Sequence, residues 1–267
     1  MGRAAILVSL CLAAGCAGPR LRVCADPNNL PFSNAALDGF ENRLADLVAR
    51  DLGLNGVTYT WWAQRRGFFR ETLNAGACDV VMGVPRGFEL ALTTRPYYRS
   101  TYVFVSRRDG PQVTSLDDAR LQHVRIGVPL VGEDGAQPPP AHALSRRGLV
   151  QNVVGYSVYG DYREDSPPAR LIAAVARGDV DVAIAWGPLA GYFAARQPMA
   201  LDVLPMPVAA ASEPLPFAFD IAMAVRRDDR ALRDRLDAVI VRRQTDIAAL
   251  LATYHVPTQP IGEGATP

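Results

Sequence analysis

The residues of this chain best suited to chemistry are tryptophans and arginines near the ends of predicted strands. Residues 61–68 read WWAQRRGF, so Trp62 and Arg65 lie where a β-rich run gives way to a helix. Trp and Arg together suit a planar or anionic ligand, or a protein surface. The alternative is that Trp61 packs in the core and only Trp62 and one arginine face outward.

Three further segments contain candidate ligand contacts: the loop after the first strand, the end of the third strand, and the residues just before the chain first crosses between lobes. The loop after the first strand carries Asp26, Asn28 and Phe32, and open α/β sheets bind ligands at the carboxyl ends of their strands. Arg86 directly follows the third predicted strand and is the best single ligand candidate, with a structural ion pair as its alternative. Tyr97 either lines the mouth of the site or packs against the hinge.

The sequence contains no common catalytic or metal-binding motif. It has no Walker loop, no GxGxxG and no HExxH, and its three histidines lack the spacing of metal ligands. We therefore expect a binding protein with no catalytic residues, no metal and no cofactor. An enzyme on the same fold is a weaker hypothesis, because no residue set supports it.

A stretch that occurs twice predicts the elements that position these residues. Residues 73–83 and 175–185 each read as a helix end, a glycine, an aspartate and a short apolar run, which is typical of a buried parallel strand. The repeat predicts an α/β fold of two similar lobes with a cleft between them. Each lobe is expected to be a mostly parallel sheet flanked by helices, and the chain is expected to cross between the lobes twice.

The predicted lobe bounds follow from the order of the elements. Lobe one is expected to span residues 18–106 and 214–260, lobe two residues 107–213, and a flexible tail residues 261–267. Within them, the pattern predicts a helix over 65–75, an irregular segment over 84–100, and a helix over 228–254 that breaks at Thr245.

Composition and the N-terminus indicate compartment and partners. The net charge of +1 provides no basic field for nucleic acid, so we expect no nucleic-acid partner. Residues 1–17 have the charged, apolar and small-residue order of a secretory signal, and Cys16 lies in a near match to a lipoprotein cleavage box. We expect an exported, periplasmic protein with no transmembrane segment in the mature chain. Simple export is favoured over lipid attachment at Cys16.

Two cysteines remain once Cys11 and Cys16 are assigned to the leader. Cys24 lies on the first strand and Cys78 just before the third, and neighbouring strands would bring their Cα atoms within bridging distance. Export to an oxidising compartment favours a disulfide between them. The alternative is two buried free thiols.

The order of elements resembles type II periplasmic solute-binding proteins, the receptors of ABC importers. A narrower resemblance rests on residues 21–34, 59–68, 73–85 and 138–144, which look like the quinoprotein-dehydrogenase-associated branch, the MoxJ/XoxJ-like proteins. This resemblance implies a periplasmic accessory protein whose partner is a PQQ-dependent methanol or alcohol dehydrogenase. It also implies a role in maturation or activation of that enzyme. We expect the protein to bind the dehydrogenase through the interlobe cleft.

The sequence departs from the pattern of amino-acid receptors at one site. Those receptors hold the ligand carboxylate with an arginine, which Arg86 roughly matches, and the ammonium with an acid on the second lobe. Here the second position is Trp186, which cannot accept the hydrogen bonds of an ammonium. An unpaired ion in a closed cleft is costly, so we expect a bulkier or less charged guest, or a piece of protein. A receptor for a small polar or amino-acid-like solute is the alternative function.

Overall fold

The computed structural model describes residues 18–130, 138–158, 162–207 and 214–261. The predicted leader, Cys16 and nearly all of the predicted tail lie outside these residues. Within the described ranges, no helix is both long and apolar enough to cross a membrane.

Strands and helices alternate along much of the chain. The strands are β1 Leu21–Ala25, β2 Asn28–Asn29, β3 Ser33–Asn34, β4 Val57–Trp61, β5 Val80–Pro85, β6 Leu92–Arg107, β7 Ile126–Leu130, β8 Val153–Ser157, β9 Val182–Trp186, β10 Leu201–Pro205 and β11 Ala218–Val225. The α-helices are α1 Phe40–Asp51, α2 Phe68–Glu71, α3 Pro139–Arg146, α4 Ala169–Arg177, α5 Gly187–Ala194, α6 Arg230–Arg242 and α7 Gln244–Thr253.

A single long strand, β6, belongs to both lobes. The strand order is β4-β1-β5-β11-β6-β9-β7-β8, with β10 also paired to β6. β1 is parallel to β4 and β5 in the first lobe, and β7 is parallel to β8 and β9 in the second, whereas β6 pairs antiparallel with β9, β10 and β11. β6 pairs with β11 as far as Thr101 and with β9 from Tyr102 onward. The predicted α/β fold class is confirmed, and the exact lobe bounds stay a prediction.

The aspartate of the repeated stretch makes the same contacts in both lobes. Asp79 precedes β5 and donates its backbone N–H to the carbonyl oxygen of Arg22 at 2.8 Å, while its carboxylate pairs with the Arg22 guanidinium at 2.6 Å. Asp181 precedes β9 and makes the same two contacts with Arg125, at 3.0 and 3.1 Å. Each aspartate therefore fixes its central strand beside the first parallel strand of its lobe.

The glycine of each copy has a backbone conformation that other residues rarely adopt. Gly76 has a φ of +74° and Gly178 a φ of +80°, both in the left-handed region. A residue with a Cβ is strained there, so glycine ends the preceding turn or helix at little cost. This explains why the repeat contains a glycine three residues before each aspartate.

Three local predictions are wrong, each for an identifiable reason. The helix expected over 65–75 is reduced to α2, because Gly67 has a φ of +88° and the backbone leaves the helical region at Thr72. Much of the segment over 84–100, which the pattern predicts to be irregular, forms the first part of β6. It is stabilised by pairing with β11, which is far away in the sequence. The helix break expected at Thr245 falls at Arg243.

The predicted disulfide between Cys24 and Cys78 is present. The two Cα atoms are 5.5 Å apart and the residues are 54 positions apart in sequence. Both cysteines are buried and pack with Phe68 and Leu73. The bridge links β1 to the turn that precedes β5, on the other side of the sheet from α1.

Candidate functional site

A cavity of about 270 Å³ lies between the lobes. Its walls are mostly aromatic and aliphatic and come from both lobes: Phe32, Val84, Pro85, Tyr98, Tyr102, Pro129, Val158, Leu171, Ala185, Trp186, Leu189, Phe219 and Ile221. Its polar side chains are few: Asn29, Glu41 and Gln64. The cavity includes residues at the carboxyl ends of β5, β7 and β9, where α/β sheets bind ligands.

Trp186 forms one aromatic wall of the cavity. It ends β9, and its ring packs edge-on against Tyr102 and Phe219 with centroid distances of 5.4 and 5.7 Å. The next residue, Gly187, starts α5 where an added Cβ would lie 2.6 Å from the carbonyl oxygen of Thr101. The chain can therefore turn sharply after Trp186, which leaves the indole facing the cavity.

Asp26 organises the loop that carries Phe32 to the cavity. Its carboxylate accepts hydrogen bonds from the backbone N–H groups of Asn28 at 2.8 Å and Gln64 at 2.7 Å. Its carbonyl oxygen accepts a hydrogen bond from the Ser33 hydroxyl at 2.7 Å. Burial raises the pKa of Asp26, although these N–H groups and the Tyr162 hydroxyl act in the opposite direction. Asp26 is thus a fixed hydrogen-bond acceptor within the loop.

The same loop is joined to lobe two by a set of contacts that we call the interlobe bridge, made by Asp26, Asn28, Tyr162, Glu164 and Ser166. The Asn28 side-chain amide donates to the Glu164 carbonyl oxygen at 2.8 Å and accepts from the Ser166 N–H at 3.1 Å. The Tyr162 hydroxyl donates to the Asp26 carboxylate. The bridge holds the predicted lobe-one loop against lobe two.

Glu41 is the one carboxylic acid among the described residues that line the cavity, and it is not among the site residues predicted from the sequence. It lies in the first turn of α1, and its Oε1 approaches Gly83 so closely that a Cβ there would be 2.1 Å away. Burial raises the pKa of its carboxyl from 4.5 to about 8. Among the residues that the structure describes, none donates a hydrogen bond to this carboxyl.

Glu41 was missed because an acid in the first turn of an amphipathic helix is ordinarily solvated. The signal that could have revealed it is Gly83, a glycine inside an otherwise apolar strand, which often marks a close approach of another group. Asn29 was also missed. It is 2% exposed, and its side-chain amide donates to Gln64 Oε1 at 2.9 Å.

Six of the eight predicted site residues lie outside the cavity lining, and two of these six, Asp26 and Asn28, belong to the interlobe bridge. Trp62 is 43% exposed. The positive charge of Arg65 acts to lower the pKa of the Asp26 carboxyl. Arg86, next to the cavity-lining Pro85, donates its backbone N–H to the backbone carbonyl oxygen of Asp220 at 2.8 Å. Tyr97 is buried and donates its hydroxyl to the Met82 carbonyl oxygen at 2.9 Å, whereas the adjacent Tyr98 lines the cavity. The site therefore brings together Phe32 and Trp186 directly, and Asp26 and Asn28 through the bridge.

The cavity lining has an acid but no cationic side chain in the described part of the chain. In the same part, no group of three or more His, Cys, Asp or Glu residues is arranged to hold a metal ion. A carboxylate or phosphate group would find no charged partner on these walls. The arrangement suits a guest that is largely apolar and that donates hydrogen bonds.

Comparison with known proteins identifies the family. Residues 21–256 match the bacterial extracellular solute-binding proteins, family 3. Protein MoxJ of Methylorubrum extorquens is 31% identical over 249 residues, which cover 90% of this chain and 82% of that protein.

Two solved structures resemble the whole described architecture. The periplasmic binding protein XoxJ from Methylobacterium extorquens AM1 has 35% identity and a TM-score of 0.74. MxaJ from Methlophaga aminisulfidivorans MPT has 25% identity and a TM-score of 0.78. Each alignment covers 90% of this chain and 100% of the other. The family expected from the sequence motifs is confirmed: the chain is a MoxJ/XoxJ-like member of the bacterial extracellular solute-binding proteins, family 3.

Proposed function

We propose that this protein is a non-catalytic periplasmic accessory of a PQQ-dependent methanol or alcohol dehydrogenase and that it assists maturation or activation of that enzyme. The observation that carries the proposal is the similarity to MoxJ and XoxJ over nine-tenths of the chain. Location in the periplasm follows from the same relatives and from the signal-like residues 1–17. Lipid attachment is not part of the proposal.

The alternative, a receptor for an amino-acid-like solute, is not favoured by the cavity. A zwitterion needs a cation for its carboxylate, and the described lining has none. Trp186 occupies the position where such receptors place an acid, so the cavity also lacks their usual ammonium partner. Within the described lining, Glu41 is the one acid that could serve that role, and it lies on the other lobe.

We propose that the dehydrogenase contacts the rim of the cleft around the interlobe bridge. Trp62 on lobe one and Tyr162 on lobe two are 43% and 48% exposed, and the segments that carry them meet at Asp26. Large exposed aromatics and arginines often dominate protein interfaces, so Trp62, Tyr162 and Arg65 are the proposed contacts. We propose that Tyr97 has a structural role only and that Arg86 lies beyond the rim.

Co-purification tests this function. The tagged mature protein is isolated from the periplasm of its own host under methanol growth, and associated proteins are identified by mass spectrometry. We expect enrichment of the dehydrogenase, reduced at least tenfold by the double substitution Trp62→Ala and Arg65→Ala. The matched control is Leu90→Ala with Arg70→Ala, because both residues are exposed on the same lobe and neither belongs to the interlobe bridge. Equal enrichment of the dehydrogenase in an untagged strain contradicts the association.

The maturation role needs a second measurement. A strain that lacks the gene is expected to accumulate dehydrogenase protein with a reduced PQQ content per subunit, and a plasmid copy is expected to restore it. Unchanged PQQ content and specific activity in the deletion strain would rule out maturation while leaving the association intact.

A further inference from the structure

We propose that the interlobe cavity binds a small organic amine as its ammonium ion, with the charged end at Glu41 and the carbon skeleton between the aromatic walls. This inference goes beyond the proposed function and adds the chemical class of a small guest. It concerns the cavity itself, whereas the dehydrogenase is proposed to contact the outer rim.

The cavity contains two acceptors that lack donors. The Glu41 carboxyl lines the cavity and receives no hydrogen bond from any residue in the described ranges. Asn29 also lines the cavity, and its Oδ1 is buried without a partner in the same ranges. Buried acceptors are nearly always satisfied in folded proteins. An ammonium group has three donors and no acceptor, so it complements this pair better than a hydroxyl group, which has one donor.

The walls around these acceptors suit a cation attached to a carbon skeleton. Trp186, Phe219 and Tyr98 all line the cavity, and the faces of such rings attract cations as well as apolar groups. No arginine contributes to the described lining, so nothing repels an ammonium and nothing balances a carboxylate. The cavity therefore distinguishes an amine from an amino acid by its charge pattern.

The volume limits the guest to a small molecule. Pockets for drug-sized ligands have volumes of roughly 300–1,000 Å³, and this cavity has about 270 Å³. The interlobe bridge lies beside the cavity, since its central residue Asn28 directly precedes the cavity-lining Asn29. A primary amine with an alkyl or single-ring substituent fits this space.

Protonation of Glu41 makes the proposed binding depend on pH. Its pKa of about 8 leaves the carboxyl neutral at pH 7, so an ammonium must displace the proton. The titratable groups that interact with it are the hydroxyls of Tyr59, Tyr97 and Tyr98, whose pKa values are all raised above 10 by burial. They remain neutral between pH 6 and 9, so Glu41 alone controls the dependence.

Calorimetric titration of the purified mature protein tests the inference with matched probes. These are butylamine and 2-phenylethylamine, the corresponding alcohols butan-1-ol and 2-phenylethanol, and the zwitterion phenylalanine. At pH 8 we expect at least one amine to bind more than tenfold tighter than its alcohol, with phenylalanine weaker than 2-phenylethylamine. The amine affinity should fall by about fivefold between pH 8 and pH 7 and by about ninefold between pH 7 and pH 6, because the ionised fraction of Glu41 falls by those factors when its pKa is about 8.

Substitutions identify the residues responsible. Glu41→Gln preserves the shape and should weaken amine binding at least tenfold and remove the pH dependence, while Glu89→Gln, an exposed matched control, should bind as the wild type does. Trp186→Leu should also weaken amine binding. Far-ultraviolet circular dichroism checks the fold of each variant. The inference is overturned if no amine binds, if the alcohols bind as tightly, or if Glu41→Gln binds amines normally.

The result is separable from the proposed function. Failure of amine binding in a protein that still co-purifies with the dehydrogenase overturns the amine inference alone. Amine binding in a protein that does not co-purify with the dehydrogenase supports the inference and contradicts the proposed partner.

Discussion

Asn28 in lobe one accepts a hydrogen bond from the backbone N–H of Ser166 in lobe two, with 3.1 Å between the atoms. The same side chain donates to the Glu164 carbonyl oxygen at 2.8 Å, so one amide satisfies both a donor and an acceptor of the opposite lobe. A neutral amide side chain can fill both roles at once, because its NH2 group donates and its oxygen accepts. This relationship makes Asn28 the central residue of the interlobe bridge.

Replacement of Asn28 by Ala is expected to open the cleft. The substitution removes both cross-lobe hydrogen bonds and leaves each lobe's core intact. Small-angle X-ray scattering should show a radius of gyration larger than that of the wild type, for which about 18 Å is expected in a compact chain of about 250 residues. Asn74→Ala, at an exposed site away from the cleft, is the control and should scatter like the wild type. Identical scattering of both variants would show that other contacts keep the lobes closed.

Substitution of Asp79 by Asn is expected to lower the free energy of unfolding by about 1 kcal/mol at pH 7. Burial raises the pKa of Asp79, but the guanidinium groups of Arg22 and Arg226 outweigh burial and lower it overall. A lowered folded-state pKa gives stability that is present above about pH 3.8 and is lost as the pH falls through the folded-state value. Urea denaturation at pH 7 and pH 3 should therefore show a smaller effect at pH 3.

The equivalent substitution in lobe two should have a smaller effect. Asp181 pairs with Arg125, whereas Asp79 pairs with two arginines. Asp181→Asn should reduce the urea midpoint at pH 7 by less than Asp79→Asn does. A larger effect of Asp181→Asn would show that the two copies of the repeat are not energetically similar.

Removal of the disulfide is expected to destabilise the protein by about 2–4 kcal/mol, because the bond restricts the unfolded chain. The variant Cys24→Ala/Cys78→Ala is compared with the oxidised wild type by urea denaturation. Addition of a reductant should bring the wild type toward the variant and leave the variant unchanged. If the reductant affects both equally, the loss of stability has another cause.

Glu41→Gln is expected to change how stability depends on pH. The pKa of Glu41 is raised in the folded state, so its contribution is full below about pH 4.5 and is lost as the pH rises to about 8. The glutamine variant has no such group and should lose less stability than the wild type over that range. Thermal unfolding between pH 5 and pH 8.5 measures the difference, with Glu89→Gln as the control. Parallel curves for wild type and Glu41→Gln would mean that Glu41 is charged at neutral pH in the folded protein.

The sequence predicted the scaffold better than the cavity. Repeats such as the glycine and aspartate of each copy are local signals, and the Cys24–Cys78 pair followed from strand order. The first half of β6 depends on pairing with β11, more than a hundred residues away, and has no local signal. Glu41 depends on the approach of α1 to Gly83, a tertiary contact that brings an ordinary helix acid to the wall of the cavity.

The shared strand β6 has a mechanical consequence. Because the lobes are joined through one continuous strand, rotation of one lobe against the other twists the sheet about that strand, and displacement grows with distance from it. β8 is the third strand from β6 on one side and β4 the fourth on the other. With strands about 4.8 Å apart, a rotation of about 15° displaces β8 by about 4 Å and β4 by about 5 Å. The two outer edges of the sheet, β8 and β4, therefore move further than the strands next to β6 when the cleft opens or closes.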